Sequence, residues 1–72
     1  MAAEVITRNV EIDSVYAQAV LGVSDENLRV LDNLIDADFF ARGHEIRITG
    51  PAHEVARGVK VIEELESIAR RG

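Results

Sequence analysis

Residues 38–51, DFFARGHEIRITGP, settle how the rest of the chain must be arranged. Gly43 separates an Ala/Phe-rich run from EIRIT, where Ile46 and Ile48 alternate with Glu45, Arg47 and Thr49. Alternation with period two marks a strand with one buried face, and a glycine between two such runs marks a hairpin turn. The second strand closes on Gly50–Pro51. A proline there opens a helix, because its missing N–H would have no partner in the first turn anyway. From Val55 onward Val59, Ile62, Leu65 and Ala69 recur at helical spacing to the end of the chain. Glu66 interrupts that face and is expected at its rim. Arg70 and Arg71 fall in the last turn, where the helix dipole favours cations.

Upstream of the hairpin, the stretch from Glu26 to Asp36 reads as a helix. Leu28, Leu31, Leu34 and Ile35 share a broad apolar face, while Arg29, Asp32 and Asn33 face outward. Before it, VYAQAVLG makes a short helix with Val15 and Ala19 on one stripe, Asp13 and Ser14 as N-caps and Gly22 as its C-terminal stop. The first element is a strand over residues 4–12, EVITRNVEI. Ile6, Val10 and Ile12 share one parity, with Arg8 as the exception, and Thr7, Asn9 and Glu11 fall on the other. The order is strand, helix, helix, strand, strand, helix. This predicts an α+β domain, βααββα, with three helices packed on one face of a three-stranded, mostly antiparallel sheet.

Seventy-two residues allow one domain, near the lower limit of what folds without cross-links. Apolar residues make up 47% and charged residues 29%, so composition does not point to disorder. With Tyr16, Phe39 and Phe40 the only aromatics, the core must be largely aliphatic. Absence of cysteine removes disulfides, thiolate metal sites and cysteine nucleophiles, and favours a reducing, cytoplasmic setting. MAAEVITRNVEI lacks the pattern of a signal peptide, and no apolar run approaches the roughly 20 residues of a membrane span. Thirteen acids against eight bases give a net charge of −5, which argues against nucleic-acid binding by bulk electrostatics.

A helix–glycine loop–helix unit set between a strand and a hairpin looks like a KH-type nucleic-acid-binding domain. More narrowly, DENLRVLDNLIDADFFARGHEIRITGPAHEV (25–55) and VIEELESIARRG (61–72) resemble the N-terminal KH-like region of PhoH family proteins. These are bacterial proteins, many called phosphate-starvation-inducible, with a P-loop ATPase domain downstream. The resemblance runs from Glu4 to Gly72 and makes residues 1–72 a single accessory domain. It implies weak single-stranded RNA binding through the loop between the first two helices, with Gly22, Val23, Ser24, Asn27, Arg29, Arg42 and Arg47 as candidate contacts. It also implies the parent ATPase domain as a partner, with ATP and Mg²⁺ belonging to that domain and no cofactor in this chain.

The departures from that pattern are specific. A KH clamp is G-x-x-G, whose backbone N–H groups hold the nucleic-acid backbone. Here the stretch is GVSD, without the second glycine and with Asp25 and Glu26 where phosphate would approach. Every residue of GVSDEN is also explained as a plain turn, since Gly22 ends one helix and Ser24 or Asp25 caps the next. No G-x-x-x-x-G-K-[ST] occurs, and the only lysine is Lys60.

Other chemistry finds little support. His44 and His53 have no partner at metal-ligand spacing and read as solvated surface histidines. Asp32 and Asp36 share a helical face with Asp38 close by, but nothing marks them as buried or catalytic. The EELE run reads as a solvated face, paired partly with Lys60. Arg8, Arg42, Arg47, Arg57 and Lys60 form either a modest basic strip or scattered surface charge, with Arg8 and Arg47 sharing the sheet if their strands pair. The alternative to RNA binding is a protein docking or oligomerisation module, suggested by the acidic balance and by sheet edges open to pairing.

Overall fold

The computed structural model describes residues 4–22 and 26–72. Its elements are β1 (Val5–Glu11), α1 (Ala17–Leu21), α2 (Glu26–Leu34), β2 (Asp38–Arg42), β3 (Glu45–Pro51) and α3 (Ala52–Arg71). The three strands form one antiparallel sheet in the order β1–β3–β2. Fold class and element order are those expected from the sequence.

Two-residue periodicity separates the faces of the sheet. Ile46 and Ile48 of β3 and Phe39 of β2 are buried, and the residues between them point outward. Above this inner face lie Val20 and Leu21 of α1, Leu28 and Leu31 of α2, and Val55 and Ile62 of α3, joined by Ile12 and Ile35. All three helices therefore lie on one side, and the opposite face is left open. Gly43, at φ +62°, takes the first position of the β2–β3 turn, where a side chain would be strained. Gly58 of α3 is buried against Phe39 and Ile48 of the sheet. A Cβ there would stand 2.9 Å from Phe39 Cζ.

Four local expectations are corrected. The stripe assigned to the first helix, Val15 and Ala19, is exposed, Val15 to 78%, and Val20 and Leu21 are buried instead. The cause is a turn ahead of the helix. Asp13 Oδ1 accepts from the Val15 N–H, and Asp13 O from the Tyr16 N–H, so the helix starts only at Ala17 without a side-chain cap. Leu34 is 68% exposed because it lies roughly 60° around the helix from Leu31, outside the arc shared by Leu28, Leu31 and Ile35. Pro51 ends β3 and precedes α3 rather than occupying its first turn. Finally, β1 pairs Arg8 with Ile48 and Asn9 with Arg47, so Arg8 and Arg47 project from opposite faces and form no common strip.

The polar contacts that fix α3 come from two glutamates. Glu54, only 8% exposed, accepts from the Asp36 N–H at 2.7 Å with Oε2 and from Arg57 at 2.9 Å with Oε1. This ties the first turn of α3 to the α2–β2 connection. The backbone N–H of Asp36, then the Arg57 guanidinium, hold the Glu54 carboxyl below its ordinary value. At the other end Glu66, half-buried at the rim as expected, accepts from the Asp13 N–H at 2.8 Å. Glu66 also pairs with Arg70, whose guanidinium lies 5.0 Å from the centre of the Tyr16 ring. Lys60 is in none of the ion pairs found among the described residues.

Candidate nucleic-acid interface

The α1–α2 connection is anchored at both ends. Gly22 closes α1 with its N–H bonded to Gln18 O, at φ +81° and ψ 177°, a region essentially confined to glycine. Asn27, in the first turn of α2, donates from Nδ2 to Val20 O at 2.9 Å and so satisfies a carbonyl at the end of α1. A Cβ on Gly22 would stand 3.2 Å from Asn27 Cγ, so these two residues form one packed corner. Val23 and Ser24 lie outside the described residues. Asn27 therefore has a structural task in the corner, while Arg29, two residues further on, is exposed.

Arg42 and Arg47 stand elsewhere. Phe40 pairs with Arg47 and Arg42 with Glu45, which places both arginines on the open face of the sheet, diagonal to one another. Arg42 has Glu45 directly across from it, and Glu45 is paired in turn with Glu11. The five described candidates thus divide into Gly22, Asn27 and Arg29 around the start of α2, and Arg42 and Arg47 on the open face on the other side of the sheet.

Between α2 and β2 the outer strand edge is partly occupied. Asp32 Oδ1 accepts from the Phe39 N–H at 3.1 Å, so this N–H faces away from β3 and is already satisfied by a carboxylate. Further along, a cleft of about 530 Å³ is lined by Asp32, Asp36 and Asp38 with Ile35, Thr49 and Pro51 among its walls. The three aspartates singled out in the sequence do converge there. Among the described residues, no group of His, Cys, Asp and Glu is arranged to hold a metal ion. His44 is exposed at the hairpin turn, and exposed His53 lies 3.6 Å from Glu54.

A P-loop does not fit these residues. The β3–α3 junction, ITGPAHEV, runs directly from strand to helix but has no lysine and carries buried Glu54 in the first turn of the helix. Lys60 is in the middle of α3. Among the described residues no helix is long and apolar enough to cross a membrane.

Phe40 was not among the sequence candidates. It is 59% exposed beside Arg47, whereas Phe39 is buried. The signal was available: consecutive residues of a strand must point to opposite faces.

Fold and surface together define a small α+β domain of βααββα order, with a glycine corner between its first two helices and an open sheet face. Its relatives are PhoH-like proteins of mycobacteria. The chain is 31% identical over 67 residues to the PhoH-like proteins of Mycobacterium tuberculosis and Mycobacterium bovis, and 38% identical over 53 residues to that of Mycobacterium leprae. The matches take in 93% of this chain for the first two and 74% for the third. They span only 19% and 15% of those proteins, so the chain corresponds to about a fifth of the length of the relatives it matches. No protein-family model matches it, nor does any solved structure.

Proposed function

We propose that the chain is a non-catalytic, KH-like accessory domain, N-terminal in a PhoH-like ATP-binding protein, that makes weak contact with single-stranded RNA through the α1–α2 connection and the start of α2. The observation that carries this reading is the glycine-only corner at Gly22, braced by Asn27, within a βααββα fold whose three strands run β1–β3–β2. Such a corner precedes the N-terminal turn of α2, and the first N–H groups of a helix, which lack partners within the helix itself, are suited to a phosphate. Exposed Arg29 lies at the end of that turn, three residues after Glu26. Affinity is kept low by Asp25, Glu26 and the overall charge of −5. Nucleotide hydrolysis, with its ATP and Mg²⁺, belongs on this reading to the rest of the PhoH-like protein, which is also the domain's natural partner.

The test is an amide NMR titration with short single-stranded RNA and DNA at low salt. Shifts at Gly22 and Glu26 to Arg29, weakened in a Gly22→Ala variant, are expected. Their absence at millimolar ligand refutes RNA contact at this corner.

A second reading is favoured by a different observation. Val30 and Leu34 lie four residues apart on α2 and are both exposed, an apolar pair suited to a protein contact, and the outer edge of β1 is unpaired in the sheet. On this reading the domain docks onto its parent protein or onto a second copy. Sedimentation showing a strict monomer at high concentration would exclude the second copy.

A further inference from the structure

On the open face of the sheet, Asn9 of β1, Arg47 of β3 and Phe40 of β2 lie side by side. The register pairs Asn9 with Arg47 and Phe40 with Arg47, so the row crosses all three strands at one level. Adjacent strands are about 4.8 Å apart, which makes the row about 10 Å long. Phe40 is the large aromatic exposed there, and Arg47 is in none of the ion pairs among the described residues. The neighbouring row is Thr7, Thr49 and Asp38, with the two threonine hydroxyls 3.1 Å apart. On the other side stand Glu11, Glu45 and Arg42.

We propose that this row is a stacking site for a base of single-stranded nucleic acid. The base lies on the Phe40 ring, the Arg47 guanidinium reaches the adjoining phosphate, and the Asn9 carboxamide hydrogen-bonds the base edge. The ligand class is shared with the proposed function, but the site is not: the row is on the opposite side of the sheet from the α1–α2 corner.

Area and the scatter of apolar side chains select this occupant over a second protein chain. Three strands of up to seven residues present a flat area of about 300 Å², against about 800 Å² per partner in a stable protein interface. The exposed apolar side chains on the face, Phe40 and Val5, are separated by the polar Thr7–Thr49–Asp38 row, so no apolar core is available. One aromatic ring with a guanidinium beside it and a carboxamide beyond matches a base with its phosphate. The carboxylates of Asp38, Glu45 and Glu11 flank the row and oppose bulk attraction of phosphate. Recognition must therefore come from stacking, and binding must depend weakly on salt.

The chain contains no tryptophan, so a Phe40→Trp variant gives a single fluorescent reporter at an exposed position. It is titrated with a single-stranded RNA octamer and with an abasic octamer of equal phosphate count. Saturable quenching by the base-bearing octamer alone, little changed between low and moderate salt, is the expected result. In parallel, amide shifts of Asn9, Phe40 and Arg47 are followed in the unaltered chain and in a Phe40→Ala variant, where binding weakens about ten-fold. Equal quenching by the abasic octamer overturns the proposal, as does silence of these three amides at millimolar RNA. Shifts confined to Gly22 and Glu26 to Arg29 would leave the proposed function standing while removing this site. Shifts at the row alone would do the reverse.

Discussion

Gly58 offers the sharpest test of the packing that separates the two faces of the sheet. In an ordinary helix interior, Gly→Ala stabilises by about 1 kcal/mol through backbone entropy alone. At Gly58 the added Cβ would stand 2.9 Å from Phe39 Cζ, 3.1 Å from Phe39 Cε2 and 3.4 Å from Ile48 Cδ1. Carbon atoms prefer about 3.5–4.0 Å, so the helix or the ring must retreat by about 0.5 Å or more. Neither moves freely, because Phe39 and Ile48 are both buried in the same layer. Overpacking of this kind costs about 1–3 kcal/mol. Set against the propensity gain, the balance for Gly58→Ala is a loss of about 1 kcal/mol, read as a Tm about 4–8 °C lower for a domain of this size. Calorimetry or urea unfolding measures it directly. Ala56→Gly, on the exposed side of the same helix, supplies the propensity baseline and should lose about 1 kcal/mol. In a double-mutant cycle, Phe39→Leu should relieve the strain of Gly58→Ala, with a coupling of about 1 kcal/mol. A Gly58→Ala variant more stable than the parent would show that α3 does not press on Phe39, and the account of the helix–sheet contact would fall.

Two further outcomes are expected. The Glu54 carboxyl is held below its ordinary value of 4.5 by the Asp36 N–H and Arg57, so its contribution to stability is present above that value and is lost as pH falls through the lower folded value. Comparison of urea midpoints at pH 6 and pH 3 should therefore show a smaller acid loss in Glu54→Gln than in the parent; equal losses would remove Glu54 from the acid response. Arg8 points to the helix side of edge strand β1 yet is exposed, and an inward charge of this sort discourages strand-edge pairing. Arg8→Val should then promote concentration-dependent association in sedimentation, and an unchanged sedimentation profile with β1 intact would deny Arg8 that role.

How far the candidate site could be read in advance varied residue by residue. Gly22 was legible as a helix stop because its requirement is local: a positive φ that other residues resist. Asn27 was legible only as a nearby polar residue. Its bond to Val20 O depends on how α1 and α2 meet, which no spacing along the chain encodes. Arg42 and Arg47 were singled out for charge, and the structure gives them one face, but with Glu45 directly opposite Arg42. Phe40 was not singled out, although strand alternation already set it against Phe39.

By itself the sequence determined the elements and their order, since each is written in local periodicity: two along EIRIT, 3.6 along the last helix, with Gly22, Gly43 and Pro51 as punctuation. It also determined that the chain carries no P-loop, because that motif is contiguous. Tertiary structure decided which side of each element faces inward. Burial is a relation between elements: Val15 and Leu34 are as apolar as Val20 and Leu31, and only the position of the facing layer leaves the first pair in water. The same holds for Asn9, Arg47 and Phe40, brought into one row from three strands by hydrogen bonds across the sheet, which fix a register that no single stretch of sequence contains.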